Sequence, residues 1–423
     1  MKLAIVSQPL DLVPGGGSVA IWTQELTQHL KQRHAITVFS GLQSGQAAEE
    51  TIAGVSHARI PTTGDETLIR VLRGVGRRVR RERALFYRYY FGSSYYRGYA
   101  GSIARRIARG SFDSILVMNF SQFLPVLRRR NPSARIALMM HCDWLVELEP
   151  RRVKRWLRAA DVICGCSSHV ANGVARRFPE HAKRSHAILN GSNPERFVES
   201  PDMRARANAL RAELGLNGRT VILFVGRVCP EKGVHVLVEA MQRVAEQRDD
   251  VVLLVVGGFS QQPPSPLWVQ RRGEQFAEIE VLKPDYKNHL ERLVGGLGDR
   301  VRFLGKLPHE DLPAYYGLAD IFVHPAVWQE PFGMTLTEAM GCGLPVVSTR
   351  SGGIPEIVVD GETGLLARSG DPETLADAIL DLAANPLRRS EMGKRGFERL
   401  REKFTWERTA RRMEAVLLGA SVE

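Results

Sequence analysis

The stretch Val221-Ile-Leu-Phe-Val225-Gly226-Arg227-Val-Cys-Pro-Glu-Lys232-Gly233 decides the fold. It opens with an unbroken apolar run and passes into a glycine-bounded basic loop. An apolar run without alternation belongs to a strand covered on both faces, as in parallel sheets. Further strands follow at Val251–Val256, Val301–Leu304, Ile321–His324 and Pro345–Ser348, with helical segments between them. Upstream, Lys2–Ser7, Ile36–Phe39, Ser114–Val117, Arg135–Met140 and Val162–Cys166 repeat the strand–helix alternation. This pattern predicts an α/β protein with parallel sheets and helices on both faces.

The turn cluster Asn190-Gly-Ser-Asn-Pro194 interrupts the alternation, so the chain reads as two α/β halves. A length of 423 residues agrees, being too long for one ordinary core. Ser18 is the expected N-cap of a helix Val19–Leu30. Arg204–Leu214, Asp371–Ala384 and Phe404–Leu418 also read as helices. The five cysteines are odd in number and scattered, and Cys164-Gly-Cys166 lacks a zinc-knuckle spacing. A reduced, cytoplasmic setting is the expectation. No signal peptide and no apolar run of about 20 residues is visible.

The net charge of +12 directs the surface toward anionic partners. Its densest concentration is Arg70–Tyr90, where seven arginines within Arg70–Arg83 precede an aromatic cluster. The segment reads as a solvated basic face, as a peripheral membrane contact, or as a groove for an anionic or lipid-linked acceptor. Nucleic acid ranks last, because no RNA-binding motif accompanies the aromatics.

Four stretches carry candidate chemistry. In Glu330-Pro-Phe-Gly-Met-Thr-Leu-Thr-Glu338, Pro331 suits a first helical turn, so the helix is expected to start near Phe332. Glu338 would then lie roughly 9 Å further along the axis. Two carboxylates at that spacing can each accept from a sugar diol, and the helix N-terminus between them favours a diphosphate. An amphipathic helix with a surface glutamate is the plain alternative. In the loop after Val225, Arg227 offers a planar fork and Lys232 a point charge to a leaving diphosphate; a solvated turn is the alternative. It is not an NTPase phosphate loop, since GxxxxGK[ST] is absent. His141 follows the strand Arg135–Met140, as a cleft residue or a satisfied core histidine. Gly15-Gly16-Gly17 follows the first strand, where glycine permits close backbone approach, but the full GxGxxG fingerprint is missing. No Asp-x-Asp pair and no His/Cys cluster of metal spacing occurs, so no metal or other cofactor is expected.

In this order, these stretches resemble the retaining glycosyltransferases of family 4. The resemblance is densest in GRVCPEKG, FLGKLPHEDL, ADIFVHPA, EPFGMTLTEAMGCGLPVVSTRSGGIPEIV and DGETGLL, between Val221 and Pro372. NGSNPERF and the closing FTWERTARRMEAV are weaker matches. The resemblance implies a GT-B fold, two Rossmann-like domains facing across a cleft. Residues 1–195, joined by a C-terminal helix 404–423, would bind the acceptor. Residues 196–403 would bind the nucleotide sugar. It implies Glu330 on the donor sugar, Glu338 on the ribose, and Arg227 and Lys232 on the diphosphate. Phe332, Gly333 and Met334 would supply backbone amides, with Lys306-Leu307 near the base. His141 would face the sugar, and Gly16 and Gly17 would line the diphosphate side.

The implied reaction moves a hexose-type sugar from a nucleotide diphosphate sugar, UDP favoured, to an acceptor hydroxyl with retention. The product belongs to glycolipid, polysaccharide or other glycoconjugate synthesis, in the cytoplasm or at the inner face of the membrane. A nucleotide-sugar epimerase of the same fold and a non-catalytic nucleotide-sugar-binding subunit are the competing readings. The chain departs from the family pattern between Gly258 and Val301, which holds extra material without an assignable role.

Overall fold

The computed structural model describes residues 1–10, 13–78, 92–197, 201–259 and 285–421. The chain divides into two compact units. Met1–Gly191 and Trp406–Glu423 belong to the first, and the described residues between Ser192 and Thr405 form the second.

The first unit is built on eight strands: β1 (Lys2–Val6), β2 (Ala35–Gly41), β3 (Glu49–Ile52), β4 (Val55–Ile60), β5 (Ser114–Met118), β6 (Arg135–Met140), β7 (Val162–Gly165) and β8 (Ser185–Ala187). Their order is β3-β4-β2-β1-β5-β6-β7-β8. Every pairing is parallel except β3 with β4. Strand order therefore reverses between β1 and β5, the place where open α/β sheets leave a crevice at their carboxyl ends. The final helix, Trp406–Leu418, packs in this unit. Glu414 accepts from Arg33 Nε and Nη2 at 2.9 and 2.8 Å, and Ser114 Oγ donates to the Leu417 carbonyl at 2.9 Å.

The second unit holds β9 (Thr220–Val225), β10 (Val251–Val256), β11 (Val301–Gly305), β12 (Ile321–His324), β13 (Val346–Thr349) and β14 (Gly364–Ala367). All pairings are parallel, in the order β11-β10-β9-β12-β13-β14. Counted from β9 this is 3-2-1-4-5-6, the doubly wound order of nucleotide-binding folds. β9 and β10 are buried at every residue, which explains their unbroken Val, Ile, Leu and Phe. The switch point lies between β9 and β12. The loops carrying Arg227 with Lys232, and Glu330, leave those two strands.

Several local expectations change. The first long helix runs Ser18–Leu30 with Gly17 as its N-cap, so Ser18 is inside the helix and makes no capping bond. The short strands β3, β4 and β8 are edge or near-edge elements of mixed polarity, and β14 is a four-residue apolar edge strand, so none of these sequences carries a clean period. The basic segment begins in a helix, Thr63–Arg78, on which Arg70 is exposed. Residues 79–91, with the aromatic cluster, lie outside the described residues, as do 260–284 of the extra material. The extra material ends in a helix, Tyr286–Val294. Among the described residues no helix is long and apolar enough to cross a membrane.

Candidate active site

One glycine brings the β9 and β12 loops together. Gly233 has φ +70, and a Cβ there would lie 1.9 Å from the Pro325 carbonyl oxygen. Only glycine lets the chain turn left-handed so close to the β12 loop. The Val327 amide then donates to the Glu231 carbonyl at 3.1 Å. Lys232 is thereby delivered to Glu330: its Nζ lies 2.5 Å from Glu330 Oε2, with side-chain exposures of 13% and 8%.

Lys232 shares that oxygen with two other donors. Trp328 Nε1 donates to Oε2 at 2.8 Å, and His324 Nε2 lies 3.3 Å from it. Lys232 Nζ also sits 5.4 Å from the centroid of the Trp328 ring, within cation–π reach. Burial by itself raises a carboxyl pKa, but Lys232 and His324 beside Glu330 outweigh it and hold the group well below the usual carboxylate range. His324 is shifted down, mainly by burial and further by Lys232, so its ring is neutral. The pair is therefore a buried, ionised Lys–Glu contact bracketed by a neutral histidine and an indole.

A ladder of hydroxyl groups fixes the loop that bears this carboxylate. Ser348 Oγ donates to the His324 carbonyl at 2.6 Å and Thr349 Oγ1 to the Ala326 carbonyl at 2.7 Å. Ser351 Oγ donates to the Trp328 carbonyl. The Gly353 amide donates to the Glu330 carbonyl at 2.7 Å. Gly352, at φ +58, lies so close that a Cβ would be 2.1 Å from the Glu330 carbonyl oxygen. Gly352→Ala therefore has two faults, a strained backbone of about 1–3 kcal/mol and a displaced Glu330. The expected result is a lower unfolding midpoint together with at least a roughly ten-fold drop in turnover, since misplacing a reacting geometry by ångströms is this costly. Thermal unfolding and initial rates on the same sample check it.

The helix after Glu330 begins later than its sequence suggests. It spans Met334–Gly341, and its N-cap Gly333 stands at φ +101. That left-handed residue separates Pro331 and Phe332 from the helix, so the axial spacing expected between Glu330 and Glu338 does not apply. Phe332 is buried and meets Phe404 edge-on at 6.0 Å between ring centroids. Glu338 lies within the helix and is itself nearly buried. Tyr316 Oη donates to its Oε2 at 2.8 Å, and His309 Nε2 lies 3.6 Å from Oε1.

The other predicted residues surround these at strand ends. Arg227 follows β9, is exposed, and makes no hydrogen bond or ion pair with another described residue. Lys306, exposed, and Leu307, half-buried, follow β11; Lys306 Cβ lies 3.7 Å from where a Cβ of Gly258 would be. In the first unit, Gly16 and Gly17 are exposed, with nothing within 4 Å of a built Cβ. His141 follows β6, and its amide donates to Asn119 Oδ1 at 2.7 Å. Its ring meets Trp22 edge-on at 5.0 Å. Its Nε2 is buried without a hydrogen-bond partner among the described residues, and burial pushes the ring pKa down to about 3. Cys164 is inert by the same logic: burial drives its thiol up to about 12.

The structure thus joins Lys232 directly to Glu330. It also contributes Trp328, His324, Tyr316, His309 and the Ser351–Gly353 turn, none of which has a role in the sequence reading. Trp328 stands two residues before Glu330, but nothing in its spacing announces that its N–H turns back onto the carboxylate.

Two family models match the chain: glycosyltransferase family 4 over residues 15–196 and glycosyl transferases group 1 over residues 207–399. The GDP-mannose-dependent alpha-(1-6)-phosphatidylinositol monomannoside mannosyltransferase of Mycolicibacterium smegmatis is 30% identical over 69% of this chain and 72% of its own length. The chain belongs to glycosyltransferase family 4. The family 4 chain is also 25% identical to spore coat protein SA of Bacillus subtilis, over 98% of this chain and 99% of that protein. Among solved structures, Alr3699/HepE of Anabaena in complex with UDP superposes with a TM-score of 0.72 at 20% identity, covering 99% of this chain and 100% of that one. The two parallel-sheet α/β units of this glycosyltransferase are those of the GT-B fold.

Proposed function

We propose that this glycosyltransferase moves a hexose-type sugar from a nucleotide diphosphate sugar to an acceptor hydroxyl, with retention and without a metal ion. The observation that carries the reading is the buried Lys232–Glu330 pair at the β9/β12 switch point, with Arg227 exposed on the same loop as Lys232. In this reading Arg227 and Lys232 hold the diphosphate and stabilise the charge it gains as the glycosidic bond breaks. Glu330 orients the donor sugar through hydroxyl groups. Glu338, already oriented by Tyr316, accepts from the ribose diol. Phe332, Gly333 and Met334 offer backbone amides, and Lys306-Leu307 border the base. The second unit is the donor-binding unit and the first the acceptor-binding unit. In the first, Gly16 and Gly17 are exposed and permit close backbone approach of a ligand, and His141 is a neutral histidine whose ring packs against Trp22.

The comparisons bring two donor classes into question. The mycobacterial relative is GDP-mannose-dependent by name, and the Anabaena neighbour is in complex with UDP. A UDP-sugar is the favoured donor here, and GDP-mannose is the alternative to test against it. Retention follows a front-face course in this reading, with the leaving phosphate taking the acceptor proton. The basic segment from Arg70 favours an anionic or lipid-linked acceptor at a membrane surface.

Incubation with UDP-, GDP- and ADP-sugars in excess EDTA tests the reading, with and without an added phospholipid or polyol acceptor. The expected result is release of nucleoside diphosphate coupled to a new α-linked product only when acceptor is present. Strict dependence on Mn²⁺ or Mg²⁺ would sink the metal-independent mechanism. A sugar isomer formed from donor alone would sink transfer itself.

A further inference from the structure

We propose that Trp328 is a positioning residue of the transfer reaction, holding the Glu330 carboxylate in place while Lys232 engages the donor diphosphate. The inference rests on the reading of Lys232 and Glu330 as donor-site residues.

Three donors converge on Glu330 Oε2: Lys232 Nζ at 2.5 Å, Trp328 Nε1 at 2.8 Å and His324 Nε2 at 3.3 Å. They differ in what they do when a sugar diphosphate arrives. Lys232 is a flexible point charge, and a diphosphate draws it toward the phosphate oxygens. His324 donates from Nε2 in only one of its two neutral tautomers, and its Nδ1 faces Thr335 Oγ1 at 3.5 Å. The indole N–H of Trp328 is a donor in every protonation state of the site. It neither titrates, nor tautomerises, nor carries a charge for the phosphate to attract. A buried carboxylate that loses donors is strongly disfavoured, so the indole is what keeps Glu330 ionised and aimed as Lys232 turns away.

Two further observations separate Trp328 from an ordinary core tryptophan. It is half-buried, and its polar atom is spent on an ionised side chain. Its ring also lies 5.4 Å from Lys232 Nζ, so one side chain touches both members of the pair by different means, N–H to the acid and π-face to the base. The Trp328 carbonyl is in turn anchored by Ser351 Oγ.

Trp328→Phe keeps an aromatic ring for Lys232 and removes the N–H together with the second ring of the indole, whose lost packing is read separately from thermal stability. The expected result is a fall in kcat of roughly ten-fold or more, with KM for the donor and the calorimetric affinities for UDP and GDP within about two-fold of the parent protein. Trp328→Leu, which loses the ring as well, should weaken diphosphate binding in addition. Two outcomes overturn the proposal: Trp328→Phe with kcat within about two-fold of the parent, or a parallel loss of kcat, diphosphate affinity and thermal stability, which marks a merely structural role. Lys232→Ala and Glu330→Gln run alongside. Normal turnover in both removes the donor-site reading itself, whereas their loss beside a normal Trp328→Phe removes only the role of Trp328.

Discussion

Lys232→Ala is expected to lower turnover by roughly 100- to 1000-fold, the usual consequence of removing one positioned charge contact at a developing anion. This variant should also be less stable, unlike a surface change. Removing one partner of a buried ion pair leaves the other uncompensated, at a cost of about 3 kcal/mol. The deficit carries a pH signature. In the parent protein Glu330 has a pKa held below its unfolded value of about 4.3. It therefore contributes stability that is present above that pH and is lost as pH falls toward the folded value. Without Lys232 the largest remaining influence is burial, which pushes the carboxyl upward. Glu330 then destabilises the fold at neutral pH and takes up a proton as pH falls, which relieves the penalty. The difference in unfolding midpoint between parent and Lys232→Ala should accordingly narrow between pH 8 and pH 4. A difference that stays constant over that range would show that the two side chains are not electrostatically coupled. Lys232→Ala combined with Glu330→Gln should recover stability and leave turnover low, because the neutral amide no longer needs the lysine but the diphosphate still does.

Arg227→Ala is expected to give a loss of similar size, roughly 100- to 1000-fold in kcat/KM, by a different route. Arg227 is exposed and bonds to no other described residue, so its removal should change stability by no more than about 0.5 kcal/mol. An exposed arginine whose removal barely changes stability yet lowers turnover this far acts on a ligand. Arg227→Lys keeps the charge without the fork and should fall between the two, since two parallel N–H bonds to phosphate oxygens cannot be replaced by one ammonium. Paired measurements of kcat/KM and thermal unfolding decide it. Near-normal turnover in Arg227→Ala would take this side chain out of the site.

How much of this was legible beforehand differs from element to element. The central strands β9 and β10 announce themselves through unbroken apolar runs, because both faces of each are covered. The strands at or next to the sheet edges, β3, β4, β8 and β14, do not, because short strands outside the covered centre of a sheet leave no single period in their sequences. Glu330 and Lys232 stand out in the sequence by residue type and placement after strands. That they touch depends on Gly233, whose φ of +70 lets one loop pass within contact of Pro325. A string of letters records the glycine and not the carbonyl it must avoid.

Sequence alone determined that this is a two-part α/β protein, and that basic and acidic side chains stand at strand ends in the order of family 4 glycosyltransferases. Those properties follow from local chemistry: covered strands are apolar, turns need glycine or proline, and a site for a charged ligand keeps its charges at loop positions. Only the tertiary structure decided that Lys232, Trp328 and His324 meet at one oxygen of Glu330. The same is true of the late start of the helix at Met334 and of the pairing of Glu338 with Tyr316. The Lys232 and Tyr316 contacts depend on the relative placement of segments 98 and 22 residues apart, whereas Trp328 and His324, 2 and 6 residues from Glu330, are aimed at it by the course of one loop. That placement is set by strand order and by the packing of glycines against backbone, which no local pattern encodes.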